Sequence, residues 1–197
     1  SRFNGADVYF GHGTDNPWDE CGLLITHVLN LSPNLTPELL SARMTKSERQ
    51  SAVDLIVARI ERKIPAAYLT NTAYFCGLPF YVDENVLVPR SPIGELINNK
   101  FAGLIDKEPS RIMDLCTGSG CIAIACAYAF DEAQVDALDI SPEALTIADE
   151  NIHRHGVADR VLPILSDVFS AVAGQTYDLI VSNPPYVDAE DLEDMPD

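Results

Sequence analysis

Asp114-Leu115-Cys116-Thr117-Gly118-Ser119-Gly120-Cys121 is the stretch whose reading decides the fold. The residues up to it, Arg111–Cys116, read as a short buried strand, and those after it, Cys121–Phe130, as an apolar helix. A strand that enters a helix through Gly-x-Gly uses glycine for the tight turn and for close approach of a ligand to the backbone. Ala123 occupies the third position of the dinucleotide-type pattern, which tolerates alanine there. An ordinary strand–helix turn also needs glycine, so the motif takes its meaning from what surrounds it.

Downstream, Gln134–Ile140 reads as the next strand, Pro142–His153 as the next helix, and Val161–Leu165 and Tyr177–Ser182 as two further buried-type strands. Alternation at this spacing predicts βαβ units and a parallel sheet covered by helices, an α/β, Rossmann-like domain. Four strands of it are visible where a doubly wound sheet has about six, so the chain is expected to stop inside the fold.

Upstream, glycines and prolines break residues 1–20. A helix is predicted over Pro17–Leu29 with Asn16 as its cap. A second is predicted over Ser47–Arg62, where Val53, Ile56, Val57 and Ile60 share a face and Pro65 marks the end. Tyr74–Val88 has strand-type residues and turn signals, which predicts a β-hairpin. A helix over Ile93–Leu104 follows. The organisation is therefore a helical domain (1–72), a hairpin connector (73–92) and the α/β domain (93–197).

The chain has 197 residues, 47% of them hydrophobic and 22% charged, which is ordinary for a globular protein. No apolar run reaches the length of about 18 residues that a membrane span needs, and no secretory pattern opens the chain. The five cysteines, Cys21, Cys76, Cys116, Cys121 and Cys126, form no CxxC pair, so buried free thiols in a reducing cytoplasm are expected. The histidines assemble no site, and no metal is expected. Net charge is -17 and uneven: residues 1–75 carry 7 basic and 8 acidic side chains, residues 76–197 carry 6 and 22. Such a surface repels a nucleic-acid backbone and attracts a basic protein, or serves solubility alone.

Two acids turn the Gly-x-Gly segment away from a dinucleotide. Asp114 lies beside the helix N-terminus, where it would oppose a pyrophosphate and favour a cationic amino group. Asp139 ends the next strand, at the place where an acid grips ribose hydroxyls; the alternative is a cap for the helix that begins after Ser141. Ile140 is placed to pack on an adenine. Asp167 and Val168 follow the third strand on the same sheet edge, with Asp167 either at the adenine amino group or a solvated loop acid. S-adenosylmethionine fits this set.

The fourth strand runs into Asn183-Pro184-Pro185-Tyr186. Two prolines stiffen the backbone and remove two amide donors. What remains is the Asn183 side chain, carbonyls and an aromatic ring, an acceptor-rich site for a planar NH2 group. Acceptance of its two N–H bonds by Asn183 and the Pro184 carbonyl would fix the nitrogen and enrich its lone pair for attack on a methyl group, with Tyr186 stacked on the plane. The alternative is a rigid strand-end turn.

Together, Asp114–Gly120 and Asn183-Pro184-Pro185-Tyr186 resemble the protein N5-glutamine methyltransferases, the HemK/Prm family. Ile64-Pro65-Ala66-Ala67-Tyr68-Leu69-Thr70, Phe75-Cys76-Gly77 and Val86-Leu87-Val88-Pro89-Arg90 resemble that family's interdomain hairpin. Ser91-Pro92-Ile93-Gly94-Glu95-Leu96 and Tyr9–Trp18 are similar to the branch acting on ribosomal large-subunit protein three. The resemblance implies a class I methyltransferase sheet, here incomplete, since family members continue well past the Asn-Pro-Pro-Tyr motif. It implies that Asp114, Thr117, Gly118, Gly120, Asp139, Ile140, Asp167, Val168 and Asn183 hold S-adenosylmethionine, released as S-adenosylhomocysteine. Asn183 and Pro184, with Tyr186, would act on the amide, and Pro185 and Arg90 would join them in holding the substrate. The implied partner is that basic ribosomal protein, recognised by the helical domain, with no direct contact to nucleic acid. An adenine-N6 nucleic-acid methyltransferase shares the cofactor logic but needs a basic surface. A non-catalytic module docking a basic protein is the alternative from another class, and a dehydrogenase a distant one.

Overall fold

The computed structural model describes residues 16–31 and 42–185. The segment Tyr9–Asp15, Tyr186 and the acidic tail Asp188–Asp197 lie outside the described residues. The chain divides into two compact units, Ser1–Arg90 and Ser91–Asp197, and the hairpin belongs to the first of them.

The first unit contains α1 (Pro17–Val28), α2 (Lys46–Glu61), α3 (Ala66–Thr70) and the hairpin β1 (Ala73–Phe75) and β2 (Leu78–Phe80). Asn16 caps α1, its side chain accepting from the Trp18 and Asp19 amides. Thr45 and Glu48 form a capping box on α2. Leu24 and Ala66 centre a small core flanked by Leu23, Leu55, Ile56, Ile60 and Leu69. Glu20 and Arg59 join α1 to α2 through a buried ion pair, Nε to Oε1 at 2.6 Å.

Two expectations need correction here. Pro65 does not end α2, which stops at Glu61; it caps α3 instead, as a residue with fixed φ can. The hairpin is shorter than Tyr74–Val88, because Asn71 Nδ2 donates to the Val82 carbonyl and Tyr68 Oη to the Val86 carbonyl. These bonds hold residues 82–86 on α3 in place of a sheet ladder, and Val82, Val86 and Val88 are buried there. The apolar face of α2 is only partly covered, with Val53 50% exposed.

The second unit opens with α4, Ile93–Asn98, which is shorter than the predicted Ile93–Leu104. Lys100 and Phe101 adopt left-handed φ of 49° and 52°, and their amides donate to the Ile97 and Leu96 carbonyls, a Schellman-type stop. Stopping there buries Phe101, which stacks on Phe130 at 6.4 Å.

The strands β3 (Arg111–Leu115), β4 (Gln134–Asp139), β5 (Val161–Leu165) and β6 (Leu179–Ser182) form a parallel sheet in the order β5-β4-β3-β6. Helices α5 (Cys121–Ala129) and α6 (Pro142–His155) make the crossovers between β3, β4 and β5. Seven successive residues of α5, Cys121–Ala127, are buried, as an apolar-all-round helix must be. α6 is amphipathic, capped by Ser141 and stopped by Gly156, and it runs past the predicted end at His153 to His155. Asp178 fixes the entry to β6, accepting from the Ser110 amide and hydroxyl and from the Arg111 amide. These donors hold its carboxyl down to about 2. Among the described residues β6 is paired on one side only, and its Ile180 is 53% exposed. No helix of the described residues is long and apolar enough to cross a membrane.

The strand order reverses beside β3. Chain order runs outward through β4 and β5 on one side and returns to β6 on the other, which makes the carboxyl ends of β3 and β6 the switch point. Gly-x-Gly follows one of these strands and Asn-Pro-Pro the other.

Candidate active site

The turn between β3 and α5 is held by bonds from three neighbouring elements. The Thr117 amide donates to the Leu138 carbonyl at 2.9 Å, and the Gly118 amide to Asp139 Oδ2 at 2.9 Å, both on β4. From below, Asp114 Oδ2 accepts from Thr117 Oγ1 at 2.6 Å and from the Ala123 amide at 3.1 Å. On the far side, Asn151 of α6 donates from Nδ2 to the Ser119 carbonyl at 2.9 Å.

Both motif glycines are required, for different reasons. Gly120 has φ +78°, and a Cβ on it would meet Ala148 Cβ at 3.3 Å, so glycine allows α6 to pack against the turn. Gly118 has φ +54° and nothing within 4 Å of its would-be Cβ. That side of the turn is open for a ligand to lie against the backbone. Cys116 also takes a left-handed φ, of 62°. Burial, then the charge of Asp139, raises its thiol above the usual range, so it is protonated and a poor nucleophile.

Asp114 is fully buried, and its Oδ1 has no hydrogen-bond partner. Burial lifts its carboxyl to about 7; the Thr117 and Ala123 donors oppose that shift, and the charge of Asp139 adds to it. A cationic donor at the vacant oxygen would favour the ionised form. An unfolded aspartate titrates near 3.9, so between that value and about 7 the folded chain holds a proton that the unfolded chain has lost. The resulting stability is greatest below the unfolded pKa and disappears as pH rises through the folded one. The thermal midpoint is therefore expected to fall between about pH 4 and about pH 7, and Asp114→Asn to flatten that part of the profile. Calorimetry across this range checks it; an equally steep slope in the variant would contradict the assignment.

Asp139 accepts two backbone bonds, Oδ2 from Gly118 and Oδ1 from the Ser141 amide at 3.0 Å. The cap of α6 is the Ser141 side chain, accepting from the Ala144 amide. A carboxylate has about four acceptor sites, so Asp139, only half-buried, has capacity left for hydroxyl donors. Ile140 next to it is 66% exposed, and Val168 and Phe169 after β5 are 51% and 49% exposed. Large apolar side chains left open beside an acid suit the face of a heteroaromatic base. Asp167 is exposed in the same loop. Ser166 shapes that loop: its Oγ donates to the Val168 carbonyl and accepts from the Ala171 amide.

Asn183 is half-buried at the end of β6, with Pro184 and Pro185 exposed after it. Ser182 ties this segment to the cofactor strand, its Oγ donating to the Leu115 carbonyl at 2.8 Å. Arg90 is exposed in the first unit. Sequence reasoning missed Asn151, Ser166 and Ser182. Asn151 left a trace, as the one polar residue on the buried stripe Ala144, Ile147, Ala148, Asn151, Ile152 of α6.

A family profile described as the methyltransferase small domain matches residues 99–195. The whole chain aligns with a ribosomal protein uL3 glutamine methyltransferase of Bradyrhizobium diazoefficiens at 47% identity, covering 64% of it. It aligns with the protein of the same name from Francisella tularensis at 42% identity, covering 63%. The chain thus spans less than two thirds of the length of these relatives. A solved S-adenosylmethionine-dependent methyltransferase from Agrobacterium tumefaciens superposes with TM-score 0.46 and 23% identity, over 58% of this chain and 39% of that one.

Proposed function

We propose, from the premise that this chain belongs to the family of the uL3 glutamine methyltransferases, that its protein methylates the side-chain amide nitrogen of a glutamine in ribosomal protein uL3. One observation carries the reading. A glycine turn furnished with acids and an Asn-Pro-Pro segment leave adjacent parallel strands at the same end, joined by the Ser182–Leu115 bond.

S-adenosylmethionine supplies, when bound, a methyl group activated by a sulfonium. The open side of Gly118, the capacity of Asp139 for hydroxyls and the exposed Ile140 and Val168 all fit it. Asp114 acts from beneath the turn, and Thr117 and Gly120 shape its backbone.

At the other strand end, the Asn183 carbonyl oxygen accepts one N–H of the glutamine amide and the Pro184 carbonyl the second. Both bonds strengthen as positive charge develops on nitrogen, which is where electrostatic stabilisation is effective. Pro184 and Pro185 offer no N–H to compete for the amide. The amide nitrogen would gain one bond to the methyl carbon as that carbon's bond to sulfur breaks, leaving S-adenosylhomocysteine, and would lose one proton to water. No strong base is needed, and the nearby carboxylates are otherwise engaged: Asp114 is buried under the turn and Asp139 holds two amides. The net of -16 over residues 76–197 favours a basic protein acceptor, and the first unit, with Arg90, is assigned to recognising it.

The test is an acceptor competition with S-adenosylmethionine labelled in the methyl group. Unmethylated uL3 and an adenine-containing oligonucleotide are offered together, and label is expected in the protein alone. Label in the oligonucleotide would favour the adenine-N6 reading and overturn this one.

A further inference from the structure

We propose that Asn151 is a positioning residue for the cofactor: through the Ser119 carbonyl it holds the glycine turn in the shape that receives the ligand. The inference rests on the cofactor reading above and adds a residue remote in sequence from both motifs.

Asn151 lies in the body of α6 with no exposed surface, a costly place for its side chain. Asparagine is a weaker helix former than alanine, and a buried amide is unfavourable unless bonded. An alanine would fit the apolar stripe of α6 better in both respects. What asparagine supplies is a donor to the carbonyl of Ser119, a residue 3% exposed whose neighbour Gly120 lies against Ala148. Without that donor a buried carbonyl in the turn would lose its side-chain partner.

The turn has particular need of an external tie. Three of its five residues between β3 and α5 have left-handed φ: Cys116, Gly118 and Gly120. Its other ties come from β3 and β4 and reach Thr117 and Gly118. Asn151 alone among the side-chain bonds above reaches Ser119, from the α6 side. With both sides held, the Gly118 amide stays on Asp139 and that carboxylate stays oriented for the ribose. Asn151 touches no ligand in this account; it acts through Ser119.

The experiment compares Asn151→Ala and Asn151→Ser with Ile147→Ala, a core truncation one turn away on the same helix. S-adenosylhomocysteine binding is measured by titration calorimetry, folding by thermal melts, and amide exchange over residues 116–120 by mass spectrometry. In Asn151→Ala the dissociation constant is expected to rise about tenfold and exchange in the turn to quicken, as loss of one buried hydrogen bond allows. Asn151→Ser, with a shorter donor, should recover part of the affinity. Ile147→Ala should lower the melting point with affinity within about twofold. Unchanged affinity and exchange in folded Asn151→Ala would overturn the proposal. So would an equal loss in Ile147→Ala, or failure of both Asn151 variants to fold, because the role presupposes a fold that stands without this bond. If the unmodified chain bound no S-adenosylhomocysteine, the cofactor reading would fail separately, and exchange in the turn would still decide whether Asn151 holds it.

Discussion

Asn183→Ala is expected to lower kcat for methyl transfer by about 100- to 1000-fold and to leave S-adenosylmethionine affinity within about threefold. The Asn183 oxygen is assigned to the acceptor amide, whose nitrogen lone pair is delocalised until its N–H bonds are fixed. That interaction strengthens in the transition state, so its loss falls on kcat rather than on ground-state binding. Asn183→Asp keeps the oxygen and adds charge to a half-buried position, and it is expected to be less impaired than the alanine variant. Steady-state kinetics with uL3 and calorimetry with the cofactor separate the two effects. A parallel fall in cofactor affinity would return Asn183 to the cofactor site alone.

The second large effect is expected at Asp139. Its carboxylate holds the Gly118 and Ser141 amides and is assigned the ribose hydroxyls as well. Asp139→Asn replaces one acceptor oxygen by a donor, so one backbone amide or one hydroxyl meets an N–H group. Two charge-assisted hydrogen bonds at about 1.5 kcal/mol or more each correspond to a rise of about 100-fold in the dissociation constant. Maximal kcat at saturating cofactor should change much less, because the amide subsite on β6 is not touched. Calorimetry with S-adenosylhomocysteine measures the first and kinetics at saturation the second. Affinity within about threefold of the unmodified chain would remove Asp139 from the ribose and leave it with the turn.

The α/β unit was the more legible part of the sequence. Its strands are short apolar runs punctuated by Gly, Pro and Asp, and Val161–Leu165 fell where predicted. The glycine turn was legible because its backbone geometry needs particular residues at Gly118 and Gly120. Periodicity failed where long-range contacts overrode it. Ile93–Leu104 continues a helical pattern, yet the helix stops at Asn98 because Phe101 finds Phe130, which is remote in sequence. Val82, Val86 and Val88 have strand-type side chains, but Tyr68 and Asn71 claim the local carbonyls. Local pattern contains neither partner.

The site was legible to a similar degree. Residues with distinctive chemistry, Asp114, Asp139 and Asn183, stood out at strand ends. The residues that hold them in place did not: Ser182 looks like an ordinary strand residue until its hydroxyl is seen on the Leu115 carbonyl. Asp114 was legible in type but not in depth. A carboxylate at a strand end does not announce that it is fully buried with one oxygen unpartnered, and its raised pKa follows from that depth.

The most direct test of the central claim is to locate the methyl group. Unmethylated uL3 is incubated with this chain and S-adenosylmethionine carrying a deuterated methyl group, then digested and sequenced by tandem mass spectrometry. One labelled methyl is expected on the side-chain amide of a single glutamine, absent with Asn183→Ala. Label on lysine, arginine or a chain terminus, or no label from a folded chain that binds the cofactor, would contradict it.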